Sequence, residues 1–162
     1  MANLLRQMPI TYEPLRNNRF TVTFPEEIGI AQWEVQTAGF PKYTSNAVEI
    51  PYLNTKTFVV GNFFWESITI KLVNNIGPST SVKIMEWVRL HSESITGRQG
   101  YAAGYKKDLL MDMLDPTGVS VSRWLLQDCM IVSAEFGEGA YDDDGLAMPS
   151  LVIQPDRCIL QY

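Results

Sequence analysis

Few residues in this chain could do chemistry, and most of them have a simpler use. A single histidine, His91, would have to serve every Ser/His/Asp, Cys/His or imidazole–metal arrangement, and it falls where a helical pattern ends. There an imidazole faces terminal carbonyls and the negative end of the helix dipole. Residues 97–107 (GRQGYAAGYKK) carry the glycines of a phosphate loop. However, Tyr105 follows Gly104, no Ser or Thr follows a lysine, and a helix precedes the stretch where a strand is required, so it reads as a mobile connecting loop. Arg98, Lys106 and Lys107 alternate with Tyr101 and Tyr105, which could stack on nucleic acid, but three cations make a weak patch and a subunit contact fits better. Asp142, Asp143 and Asp144 before Gly145 lack the alternating spacing and distal bidentate glutamate of a calcium loop, and read as a solvated turn. Glu34, Asp108 and Asp112 fall on polar strand faces with no cleft to couple them as acid and base. Cys129 and Cys158 lie in apolar runs and read as buried thiols, with a cross-link between subunits as the alternative. No catalytic, cofactor or metal site is expected.

The elements that would position these residues are mainly strands. In 20–24 (FTVTF) and 67–72 (SITIKL) apolar and polar residues alternate with period two, the mark of a strand with one face buried. The stretch 32–36 (QWEVQ) alternates too, with Gln32, Glu34 and Gln36 as its polar set. Residues 106–113 and 119–126 read as strands joined by a turn at Asp115-Pro116-Thr117-Gly118, where Pro suits φ near −65° and Gly a left-handed position. Three further strands are expected at 129–136, 150–154 and 158–162. One helix is expected over 79–92, where Val82, Ile84, Met85, Trp87 and Val88 recur at helical spacing after Pro78-Ser79-Thr80. Its apolar residues cover more than half the circumference, which implies contacts on two sides. Between strands, residues 40–64 hold Pro41, Pro51, Gly61 and many apolar residues, too long for a turn and suited to a projecting arm or long hairpin.

At 162 residues and 46% hydrophobic content the chain suits a single domain, 1–162, with a sizeable core. The net charge of −5 argues against general nucleic-acid binding, which clusters Lys and Arg on phosphates. Residues 1–6 (MANLLR) do not open a signal peptide, and no apolar run approaches the ~18 residues of a membrane span, so a soluble product made in the cytosol is expected.

The order of several short motifs carries a resemblance. Asn18-Arg19-Phe20 comes first, then Ala38-Gly39-Phe40-Pro41 leading to Val48-Glu49-Ile50-Pro51-Tyr52 and Asn54-Thr55-Lys56. The stretch 60–72 (VGNFFWESITIKL) runs on to Asn74-Asn75, a helix carries Trp87, Asp115-Pro116-Thr117-Gly118 follows, and Cys158-Ile159-Leu160-Gln161-Tyr162 closes the series. Across almost its whole length the chain resembles the tail tube proteins of contractile-tailed bacteriophages. That resemblance implies a mainly β fold with one α-helix, a β-sandwich or small barrel with the helix on its flank. It further implies hexameric rings in which strands of all copies join one continuous barrel. The rings stack into a tube inside a contractile sheath, with DNA passing through the channel on ejection. Partners would be further copies of itself, the tail sheath protein, baseplate and tail terminator proteins, and the tape measure protein and transiting DNA in the lumen. No membrane partner is implied. The location would be the virion tail, assembled in the host bacterial cytoplasm.

Within that picture Ile50, Tyr52, Leu53, Phe58 and Val59 on the arm are candidates for contact between rings. Gln32, Glu34, Gln36, Thr69 and Lys71 are candidates for the lumen or outer polar face, and Trp87, Tyr101 and Tyr105 for contact within a ring. An acidic balance would let DNA, with a charge every ~1.7 Å, slide past the wall. Alternatives are a tube initiator or terminator ring, the tube of a phage-like injection particle, and, from another class, a monomeric β-sandwich ligand-binding module.

Overall fold

The computed structural model describes residues 11–162; residues 1–6, read above for a signal peptide, lie outside them. In chain order the elements are β1 (Phe20–Thr23), a 3-10 turn (Gln32–Glu34), β2 (Val35–Ala38), β3 (Tyr43–Tyr52), β4 (Thr55–Trp65) and β5 (Ile68–Leu72). Then come α1 (Thr80–His91), the single-turn α2 (Ala102–Tyr105), β6 (Lys107–Leu114), β7 (Ser120–Glu135), β8 (Ser150–Gln154) and β9 (Arg157–Leu160). The fold is mainly β with one substantial helix.

The strands form a sandwich around one strand shared by both layers. The N-terminal part of β7 pairs with β6 and β9, its C-terminal part pairs with β8, and the hydrogen-bonded path runs β1-β6-β7-β8-β5-β2. The sequence suggests two strands, 119–126 and 129–136; they are one. The switch between layers falls at Asp128, whose φ of +54° is a left-handed conformation that Asp tolerates, and whose N–H donates to Asp108 Oδ1 at 2.9 Å. The terminal strands β1 and β2 are not paired, so the sheet does not close into a barrel.

Alternation decides which side chains enter the core. In β5, Ile68, Ile70 and Leu72 are buried while Thr69 and Lys71 are exposed. Ile70 faces Leu151 across the ladder, and Ile68 faces Ile153, which in turn faces Ile131. Val22, Leu109, Met111 and Leu126 fill the other layer. Truncating one of these, such as Ile70→Ala, costs about 2–5 kcal/mol.

Helix α1 buries Thr80, Ile84 and Trp87, an i, i+4, i+7 stripe, and leaves Val82 and Leu90 exposed. Its start is held by Asn74, whose Oδ1 accepts from the Ser79 hydroxyl at 3.1 Å and from the Ser81 N–H at 3.3 Å. The hairpin at 115–118 forms with Gly118 at φ +87°, and Asp115 Oδ1 accepts from the N–H groups of Thr117 and Val119.

Strands β3 and β4 form their own two-stranded sheet, a long antiparallel hairpin apart from the sandwich. Its root is fixed. Trp65 meets Trp124 of β7 edge to face at 6.1 Å, the Trp65 carbonyl accepts from Gln154 Nε2 at 2.7 Å, and Glu66 binds both Lys42 and the Thr44 hydroxyl. Those two partners, Lys42 first, hold the Glu66 carboxyl below its ordinary pKa. Beyond Ser45 a bulge shifts the register. It falls at Gly61, where a Cβ would come within 2.9 Å of Val48 Cγ2 and 3.1 Å of the Asn46 carbonyl oxygen.

Candidate functional site

Among the described residues, this arm is a long apolar feature that the fold leaves uncovered. Every described residue from Ser45 to Val60 is exposed, although the stretch includes Val48, Ile50, Tyr52, Leu53, Phe58, Val59 and Val60. The register sorts them. Val48 pairs with Val59, Ile50 with Thr57 and Tyr52 with Thr55, so these share one face. Ala47 pairs with Val60, Glu49 with Phe58 and Pro51 with Lys56, so these share the other. Of the expected ring-to-ring residues, Ile50, Tyr52 and Val59 thus lie together, Phe58 lies on the opposite face, and Leu53 stands at the tip. The arm is apolar on both faces, and its one ion pair, Glu49 with Lys56 at 2.7 Å, is internal.

The expected polar-face residues separate. Thr69 and Lys71 are exposed side by side on β5. Across the ladder Lys71 faces Thr37 and Ser150, and Ser150 faces Glu135; Thr69 faces Val152, which faces Ser133. This makes a flat face of small side chains bearing one cation and one anion. Gln36 is exposed at the irregularity in β2, and Gln32 donates from Nε2 to the Thr23 hydroxyl at 2.7 Å.

Glu34 corrects the reading of 32–36 as a strand. The stretch begins as a 3-10 turn that carries Trp33 outward, 70% exposed, and Glu34 inward, 2% exposed. Glu34 Oε1 pairs with Lys83 Nζ of α1 at 2.8 Å, its Oε2 lies 3.1 Å from the Thr80 hydroxyl, and its carbonyl accepts from the Val73 N–H at 2.7 Å. It locks the helix to the sandwich and is not a lumen residue. Asp112, also read as surface charge, is buried and takes both Arg123 Nε (2.7 Å) and Nη2 (2.9 Å) as a bidentate pair.

Trp87 is likewise corrected. It is 2% exposed, and its indole N–H donates to the Tyr105 carbonyl at 2.8 Å, so it fastens α2 to the core and is not presented to a neighbour. Tyr105 is half-buried against His91, edge to face at 5.6 Å, whereas Tyr101 is exposed. His91 Nδ1 lies 3.1 Å from the Ser92 hydroxyl. The loop after α1 is tied rather than free, since Gly97 N–H donates to the Glu93 carbonyl and Gly100 N–H to that of His91. Both cysteines are free and buried. Burial, aided by the neighbouring Cys158, pushes the Cys129 thiol far above its ordinary value, and burial pushes Cys158 up to about 11. Neither thiol is placed to cross-link subunits. Among the described residues no helix is long and apolar enough to cross a membrane, and no three His, Cys, Asp or Glu side chains gather as a metal would need.

No family model matches the sequence, and no curated protein matches it. Solved structures do. The tube-terminating cap of the anti-feeding prophage superposes with a TM-score of 0.75 at 18% identity, covering 100% of this chain and 99% of that one. A chain from the sheath–tube complex of the extracellular contractile injection system PVC, in its extended state, gives 0.74 at 17% identity over 94% of each. The sheath/tube terminator of the same system gives 0.72 at 16% identity, over 94% of this chain and 99% of that one. The chain thus shares its fold with tube and tube-terminator proteins of contractile injection systems.

Proposed function

We propose that this chain is a non-enzymatic structural subunit of the tube of a contractile injection apparatus, joining copies of itself into rings that stack around a channel. The arm carries this reading. An isolated ribbon of two strands is marginal in water, and here both distal faces are apolar and bare. Neighbouring copies supply the missing cover. Hexameric rings would also pair the open margins of β1, β2 and β9 into a continuous barrel, which removes the edges that invite uncontrolled pairing.

In this reading the flat face of Thr37, Thr69, Lys71, Ser133, Ser150 and Glu135 lines the channel, where small, charge-balanced side chains grip a passing polyanion weakly. The sheath lies outside, the baseplate and terminator at the ends, and the tape measure protein and then DNA occupy the lumen of a phage tail. The site of assembly is the bacterial cytoplasm and the destination is the particle's tail. A second reading, a ring that caps the tube, is favoured by the end-to-end correspondence with the anti-feeding prophage cap.

Sedimentation tests the proposal. The unmodified chain should populate a species about six times its 18.3 kDa mass and larger particles as concentration rises, and removal of residues 45–55 should eliminate the larger ones. A single 18.3 kDa species at every concentration would overturn it.

A further inference from the structure

The tip of the arm is unfavourable in two ways at once. Leu53 holds φ at +51°, a left-handed backbone that Gly or Asn adopts more readily, and its side chain is 87% exposed. Tyr52 beside it is 72% exposed. The turn itself requires no apolar side chain, so a strained and unburied leucine points to a contact outside its own chain.

The same molecule carries a groove of about 540 Å3 between residues 13–15 and the β6–β7 turn, in the ~300–1,000 Å3 range of pockets that enclose a guest. Pro14, Leu15, Leu114, Pro116 and Val121 supply its apolar walls. The charges at its rim are already engaged. Glu13 lies 3.7 Å from Arg19, and Asp115 is bound by Thr117, with Val119 after it, which holds its carboxyl below the ordinary value. Such a groove suits an uncharged apolar plug, and the arm tip is one, because the ion pair behind it is neutral as a whole. No arm residue lines the groove, so plug and socket do not satisfy each other within one copy.

We propose that Tyr52 and Leu53 of one copy seat in the groove walled by Leu15, Leu114 and Val121 of a second copy, an assignment that rests on the self-assembling reading above. A plug and a socket at different places on one surface make a heterologous contact, which extends from copy to copy without limit when the rotation between copies does not close a ring, as between stacked rings. Each added copy covers one tip and one groove and presents one of each, so growth along the tube has a direction.

The test joins the two sites covalently. Leu53→Cys and Val121→Cys are introduced together; the native Cys129 and Cys158 are buried and stay silent. Mild oxidation of the assembled double variant should give a ladder of disulfide-linked dimers, trimers and higher species, while each single variant stops at dimers or below. Assemblies without a ladder overturn this contact and leave self-assembly standing; an unmodified chain that never assembles overturns both. If the double cysteine variant does not assemble, exchange of charge decides. Leu53→Lys and Val121→Asp should each reduce the assembled fraction about ten-fold, and their combination should restore most of it. No recovery in the combination overturns the contact.

Discussion

Trp65 and Trp124 meet edge to face with ring centres 6.1 Å apart, and this contact joins the end of the arm to the strand that both layers of the sandwich share. Trp65 also meets Tyr43 edge to face at 5.5 Å, so the root of the arm is an aromatic cluster while its outer part is bare. An arm rigid at its root presents its tip in a fixed place, which lowers the entropy lost on docking. A double-mutant cycle on Trp65→Ala and Trp124→Ala should therefore return a coupling of about 1 kcal/mol. Amide exchange in β3 and β4 should accelerate in either single variant. Additive effects with unchanged exchange would mean that the arm is held elsewhere.

The Glu34–Lys83 pair ties α1 to the turn before β2, and its carboxylate is nearly inaccessible while the lysine side chain is 14% exposed. Removing one partner strands the other. Glu34→Ala should cost about 3 kcal/mol in chemical unfolding, and Glu34→Leu combined with Lys83→Met should recover much of that loss. A Glu34→Ala variant as stable as the parent would return Glu34 to the surface role its sequence context suggests.

The two thiols should be inert while the chain is folded. Raised pKa values keep both protonated, and the thiolate is the reactive form. With a chromogenic disulfide reagent at pH 8, native protein should release no colour on the time scale in which denatured protein titrates two cysteines. Rapid reaction of one native thiol would place it at the surface and reopen a covalent link between subunits.

The flat polar face offers a test of the channel assignment. Thr69→Lys with Ser133→Lys adds two cations beside Lys71 and should leave assembly unchanged, since neither side chain enters the core. In a DNA-carrying particle the same pair should slow ejection. Loss of rings in this variant would place the face in a subunit contact instead.

Much of the sandwich is legible in the sequence because burial on one face imposes a period of two, and β5 shows it residue by residue. The turn at Asp115 is legible because Pro and Gly occupy the positions their backbones favour. The stretch 32–36 alternates as well, yet it begins as a 3-10 turn, and the partner that rewards an inward Glu34 is Lys83, 49 positions away. Trp87 is ambiguous for a related reason, since its hydrogen bond goes to Tyr105, which its own helix does not contain. The arm's length and apolar content are visible in advance, but the division of its residues between two faces depends on the bulge at Gly61, which only pairing reveals. The continuity of β7 through Asp128 is hidden because a left-handed residue resembles a turn when read alone.

The central claim is that identical copies cover what one copy leaves bare. Negative-stain electron microscopy of the purified full chain over a range of concentrations tests it most directly. Rings with an open centre, alone or stacked into hollow tubes, are the predicted result. A field of separate single-copy particles at the highest concentration and after prolonged storage would contradict the account.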